Sequence, residues 1–185
     1  MHLLSQRLIV IFCLMLGWGL GIQGFSQDII PYLQSPTDTT IWISWRTNSG
    51  TETTIKFGTD STQLNQTTDG DYQKLEDPEY IGDYYYHSVQ LKNLQPSTLY
   101  YYKVNTGSSE SKIFRFKTQP SIGSNNEHYR FLIFGDHQVP DRDGYQRLMQ
   151  AAKDRVFQKY GGSVEENINL IINDGDQVDL YIMAI

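Results

Sequence analysis

The chain has 185 residues, one cysteine and a formal net charge of −6, with 39% hydrophobic and 13% aromatic residues. That length holds one full domain and part of a second, and the apolar content is enough for a packed core. An acidic balance with no basic stripe excludes a binder of phosphate backbones, so no nucleic-acid partner is expected.

Residues 1–26 read as an export signal. Arg7 supplies the positive start, Leu8 to Leu20 carries no charge, and Gly24 and Ser26 sit where a signal peptidase reads small residues. The apolar run is short for a bilayer span, which leaves a retained anchor as the alternative. Cleavage near Ser26–Gln27 removes Arg7 and no acid, so the charge moves from −6 to −7, and it removes Cys13 as well. The mature chain then has no disulfide framework, no thiolate metal site and no stable membrane span. The expected location is secreted, periplasmic or at the cell surface.

Residues 27–120 form the first predicted domain. "TTIWISWRT" alternates, with Ile41, Ile43 and Trp45 on one face and Trp42 and Ser44 on the other. "TTIKFGT", "YYYHSVQL", "TLYYYKVNT" and "SKIFRFKT" follow, each bounded by turn chemistry. Five or more short strands at this spacing predict an antiparallel sandwich. The tyrosines at 84–86 and 100–102 alternate in and out of a sheet, which fits packing; an aromatic ligand platform is the functional alternative. His87 reads as a strand residue before a ligand. Asn65 opens an N-Q-T sequon that matters only in a eukaryotic secretory pathway.

The sharpest pattern is "LKNLQPSTLYYYKV", with Leu94, Pro96, Thr98 and Tyr100 at alternate positions. Pro96 cannot donate to a ladder and turns the chain between strands. A tyrosine just after such a corner can bury its ring and return its hydroxyl to the backbone. This stretch resembles the fibronectin type III family, whose L-x-P-x-T-x-Y precedes the penultimate strand. The Pro-bounded opening "PYLQSPTDTTIWISWRT" adds a first strand and a second strand with an inward Trp.

After Pro120 the composition changes, and 121–128 reads as a linker. "YRFLIFGD" is a buried strand by its continuous apolar pattern. A helix follows, with Tyr145, Leu148, Met149, Ala152, Val156 and Tyr160 at helical spacing, Asp141 or Asp143 as N-cap, and a stop at Gly161–Gly162. "INLIINDGD" is a second such strand. Both strands end in Gly-Asp, and a right-handed β–α–β unit makes them parallel, with both carboxyl ends on one edge. Asp136 and Asp176 then approach each other, and each glycine lets the backbone turn and leaves room for an ion. Two carboxylates repel and raise each other's pKa, which a divalent cation relieves. An accidental pair of acidic strand ends is the bland alternative.

"FLIFGDHQ" and "LIINDGDQVD" resemble the first two signature blocks of the calcineurin-like metallophosphoesterases. With a fibronectin-like domain ahead of them, the arrangement is similar to the purple acid phosphatases. The resemblance implies a fibronectin III/immunoglobulin-like β-sandwich at 27–120, then residues 129–185 as the N-terminal fragment of an α/β metallophosphoesterase domain. It implies two divalent ions (Mn, Zn, Mg or Fe), with Asp136 ligating one and Asp176 bridging both. The substrate would be a phosphate ester, hydrolysed by a metal-bound hydroxide. His137 and Gln138 depart from the D-x-H form of the first block, leaving His137 as ligand, neighbour of a ligand or solvated loop residue. Asp179 stands where the purple enzymes have their iron-binding tyrosine, which turns the expectation from ferric chemistry towards hard divalent ions. The family's later Asn-His and histidine blocks have no counterpart, so these 185 residues are expected not to form a competent phosphatase. The alternative is an exported, non-catalytic binding or adhesion module, and the downstream coding sequence separates the two.

Overall fold

A computed structural model describes residues 29–76, 82–107, 109–125, 128–135 and 142–174; the segment expected to be an export signal, 1–26, lies outside them. Nine strands make up the first part of the chain. They are β1 (Tyr32–Gln34), β2 (Ile41–Thr47), β3 (Thr54–Gly58), β4 (Gln66–Asp69), β5 (Asp71–Leu75), β6 (Tyr84–Leu91), β7 (Leu99–Thr106), β8 (Ser109–Glu110) and β9 (Phe114–Lys117). One sheet runs β1-β2-β6-β5; the other runs β4-β3-β7, with β8 and β9 both on the far edge of β7. Every pairing in the two sheets is antiparallel. The result is the antiparallel sandwich that the strand spacing predicts, of fibronectin type III kind.

Alternation along the strands builds the core. Ile41, Ile43 and Trp45 of β2 meet Val89 and Leu91 of β6, and across the gap lie Ile55, Phe57, Tyr100, Tyr102 and Val104. All are buried. Ser44, on the opposite side of β2, is buried too, because β1 and β6 flank it: its hydroxyl lies 3.3 Å from both Gln34 Oε1 and Ser88 Oγ.

The core also holds polar groups with partners. Trp45 donates its indole N–H to Thr106 Oγ1 across the sheets at 2.9 Å. His87 stacks on Trp45 with ring centroids 5.1 Å apart and planes 10° from parallel. Its two ring nitrogens lie 2.8 Å from Thr47 Oγ1 and 2.7 Å from Thr53 Oγ1. A hydroxyl can donate or accept, so this pair satisfies a neutral imidazole in either tautomer. Burial pushes the His87 pKa down to about 4. His87 is therefore a satisfied core residue and not a metal ligand.

Tyr100 closes the corner after β6. Its ring is buried and its hydroxyl accepts the Gln95 N–H at 3.0 Å. Thr98 donates to the Pro96 carbonyl, while buried Thr118 donates to the Gln95 carbonyl at 2.6 Å. Asn93 and Ser97 take left-handed backbone angles (φ 57° and 51°) to make the bend.

Besides the two-residue β8, strands β4 and β5 go unread in the sequence pattern. They are polar edge strands, "QTTD" and "DYQKL", with no apolar face to alternate. Gly70 lets the chain pass from one sheet to the other between them. A Cβ there would stand 2.3 Å from the Ser88 carbonyl oxygen and 2.6 Å from Val89 Cγ2, so only glycine fits.

The second part contains β10 (Phe131–Phe134), helix α1 (Arg142–Tyr160), a short helix α2 (Val164–Asn167) and β11 (Leu170–Asn173). β10 and β11 pair in parallel, Phe131 with Leu170 through Phe134 with Asn173. Gly161 and Gly162 end α1 in left-handed conformations, and the Gly161 N–H returns to the Phe157 carbonyl at 2.8 Å. Of the two expected N-caps, Asp143 lies inside α1, and Asp141 is outside the described residues. The continuous apolar pattern suits strands covered on both faces, and a pair without flanking strands or a second sheet is expected to leave Leu132, Ile133, Leu170 and Ile171 partly uncovered, as they are. Phe131 and Ile133 on one face of the pair and Ile171 on the other are all more than half exposed, so neither face is fully covered among the described residues. Among those residues no helix is long and apolar enough to cross a membrane.

Candidate metal-binding edge

Parallel pairing fixes which residues can meet. The ladder opens at Asn169, whose N–H donates to the Arg130 carbonyl at 2.8 Å and whose Oδ1 accepts the Arg130 N–H at 3.0 Å. It runs on past Phe134, where the Asp174 N–H donates to the Phe134 carbonyl at 2.6 Å. Gly135 and Asp174 are thus side by side at the carboxyl edge. A Cβ on Gly135 would come within 3.4 Å of Asp174 Cβ. Gly135 takes no left-handed angle, so what it gives this edge is close approach of the two chains.

The two residues that the sequence singles out as ligands, Asp136 and Asp176, lie outside the described residues, as do His137, Gln138 and Asp179. Asp136 follows Phe134 by two positions and Asp176 follows Asn173 by three, so each begins where the paired ladder stops. Asp174 adds an exposed carboxylate at the same edge, unremarked in the sequence pattern although its place in "NDGD" made it visible. Among the described residues no group of three His, Cys, Asp or Glu side chains could hold a metal ion. Carboxylate oxygens are the donors that this edge offers, and they suit hard divalent ions.

The rest of the segment holds this edge to its surroundings at the opposite end. Asn169 also accepts Gln119 Nε2 on its backbone carbonyl at 2.7 Å, which ties the start of β11 to the end of the sandwich. The Arg130 guanidinium lies 4.4 Å from the centre of the Tyr160 ring, joining the start of β10 to the end of α1. Before α2, the Ser163 N–H donates to Glu166 Oε2 at 2.7 Å. That contact is the carboxylate half of an S-x-x-E capping box, a signal present in "SVEE" that would have located this helix. A cleft of ≈ 660 Å³ separates the sandwich from α2 and β11. It is lined by Leu33, Phe114, Arg115, Glu165, Leu170 and Ile171, among others, and so opens at the amino end of β11, away from the carboxyl edge.

Residues 27–118 match the model of the purple acid phosphatase N-terminal domain. The sandwich is a domain of that family. No curated protein matches the chain. Among solved structures, the sensor domain of the anti-sigma factor RsgI4 of Pseudobacteroides cellulosolvens matches with 22% identity and a TM-score of 0.37, over 51% of this chain and 93% of that one. A structure of PhoD matches with 17% identity and a TM-score of 0.45, over 62% of this chain and 23% of that one. The fibronectin type III domain of human contactin 1 matches with 16% identity and a TM-score of 0.35, over 60% of this chain and 96% of its own. The chain therefore matches about a quarter of the PhoD structure.

Proposed function

We propose that the chain is the N-terminal part of an exported, metal-dependent phosphoesterase of the acid phosphatase type. In this reading the purple acid phosphatase-type sandwich, residues 27–120, leads through a linker at 121–128 into the beginning of the hydrolytic domain at 129–185. Asp136 and Asp176 are its metal ligands. The observation that carries the proposal is the in-register parallel pairing of β10 and β11, which ends both strands at one edge immediately ahead of the two aspartates. The family match of the sandwich supports the same reading.

Two divalent ions, when bound, would supply Lewis acidity and an activated water for attack on a phosphate ester. The chain's own contribution is to converge carboxylates on one edge and to hold them there through the strand pairing. Two aspartates neither fix a two-metal centre nor orient a substrate. The 185 residues by themselves are therefore expected to bind a divalent ion weakly and not to turn over phosphate esters.

Mn²⁺ titration of the full chain, with free ion followed by electron paramagnetic resonance, tests the ligand assignment. Binding is expected, and Asp136→Asn and Asp176→Asn should each remove it. Unchanged binding in both variants would sink the assignment, and metal-dependent turnover of p-nitrophenyl phosphate by the purified chain would overturn the expected inactivity. The second reading, an exported binding module, draws on a different observation: the aromatic side chains exposed on one sheet of the sandwich.

A further inference from the structure

The two outer faces of the sandwich are built from different chemistry. On the β3–β7 side, Lys56 and Lys103 both meet Glu110, at 3.6 and 2.5 Å, and Thr54 donates to Asp69 at 2.9 Å. That is a solvated face of ordinary ion pairs. On the other side, the outward positions of β1, β2, β6 and β5 carry tyrosine, tryptophan, glutamine and serine. The register sets them in rows: Gln34, Trp42 and Gln90 in one, then Tyr32, Ser44 and Ser88, then Arg46, Tyr86 and Gln73, with Tyr84 beyond. Tyr32 is 43% exposed and Trp42 38%. Tyr32 reaches Tyr86 across β2, with ring centroids 6.4 Å apart.

Charge on this face cancels. Among the described outward positions only Arg46 and Asp71 are charged, one of each sign. Arg46 is engaged, its guanidinium lying 4.5 Å from the centre of the Tyr84 ring. On a chain of net charge −6 a neutral face stands apart from the rest of the surface. A highly charged partner, whether nucleic acid or acidic polymer, meets only the single cation Arg46 there, beside the acid Asp71. The core of a protein interface needs contiguous apolar surface, and here glutamine or serine interrupts the aromatics in three of the rows.

We propose that the outer face of the β1-β2-β6-β5 sheet binds an extended, uncharged glycan, of the β-1,4-linked kind whose hydroxyls are equatorial. Such a sugar ring presents a flat face of C–H groups with hydroxyls around its rim. An exposed Tyr or Trp ring offers the complementary flat apolar surface together with a polar edge. Gln34, Gln73 and Gln90 can each donate and accept towards rim hydroxyls. The sheet is open over β2, β6 and β5, while Tyr32 and Gln34 at its β1 edge also line the cleft towards α2 and β11, so it suits a chain laid along it and not a single sugar held within. The assignment is independent of Asp136, Asp176 and the phosphoesterase reading.

Calorimetric titration of the full chain with cellohexaose tests it, with polygalacturonate as the charged control. Cellohexaose is expected to bind and polygalacturonate not to. Trp42→Ala and Tyr32→Ala should each weaken cellohexaose binding roughly tenfold, while Lys103→Ala on the opposite face leaves it unchanged. Melting curves establish that the variants fold. Should Tyr32→Ala fail to fold, Trp42→Gln at an exposed position gives the same readout. Absence of cellohexaose binding by the parent chain, or binding unchanged in both Trp42 variants, would overturn the proposal.

Discussion

The sandwich and the β–α–β segment use similar residues to opposite effect. In the sandwich, Ile43, Trp45, Ile55, Val89, Leu91 and Val104 are completely buried. In the segment, Phe131 and Ile133 are 51% and 58% exposed although they stand in an equally apolar strand. Two sheets cover each other, so alternation in one strand is answered by alternation in another. The two-stranded parallel sheet is fully covered on neither face among the described residues, with Phe131 and Ile133 exposed on one and Ile171 on the other. Apolar content alone therefore does not decide burial; the number of layers does.

The sharpest way to break that contrast is to remove one large side chain from each region. Trp45→Ala deletes a ring that stacks on His87 and bonds Thr106, and it should cost about 3–5 kcal/mol by urea denaturation. Phe131→Ala removes a side chain that is half in solvent and should cost under about 1 kcal/mol. Equal costs would mean that the segment is packed as tightly as the sandwich.

The next effect should appear only in acid. His87 has a folded pKa of about 4 against an ordinary value of 6.5, because burial disfavours its charged form. Between those values the unfolded chain binds more protons than the folded one, so stability rises with pH through that window. The full contribution is present above pH 6.5 and is lost as pH falls towards 4. Urea midpoints of the parent chain and of His87→Asn, compared at pH 7 and pH 4.5, check this. The parent should lose more of its stability on acidification than the variant, and parallel losses would contradict a buried neutral imidazole.

How much of this was legible depends on whether a residue's role is local. The strands β2, β3, β6, β7 and β9 show in alternation, the corner shows in Leu94, Pro96, Thr98 and Tyr100, and the parallel pair shows in two apolar runs around a helical pattern. Polar β4 and β5 do not, since an edge strand needs no apolar face, and the need for glycine at Gly70 is set by Ser88 and Val89 far along the chain. The same holds for His87. Nothing next to it in sequence announces Thr47, Thr53 or Trp45, so its partners exist only once the sheets are stacked. For the metal-binding edge, the convergence of two strand ends could be argued from chain direction alone. Partial exposure of Ile133 and Ile171 follows in the same way from a strand pair without flanking strands, whereas the exposure of Phe131 depends on what lies over it.

The smallest effect tests how the sandwich is fastened at its corner. Tyr100→Phe keeps the ring against Phe57 and Phe116 and removes only the hydroxyl that accepts the Gln95 N–H. The loss should be about 1 kcal/mol, the net worth of one intramolecular hydrogen bond, with more if the N–H is left without a partner. It belongs to the sandwich alone. Limited proteolysis of the variant should therefore cut residues 129–174 at the parent's rate while the urea midpoint of the sandwich falls. If both regions weaken together, the Gln119–Asn169 contact couples them into one cooperative unit. The contrast between a self-sufficient sandwich and a dependent segment would then fail, since a change confined to the corner would have been felt in both, passed on through Gln119, which also accepts the Ser97 N–H.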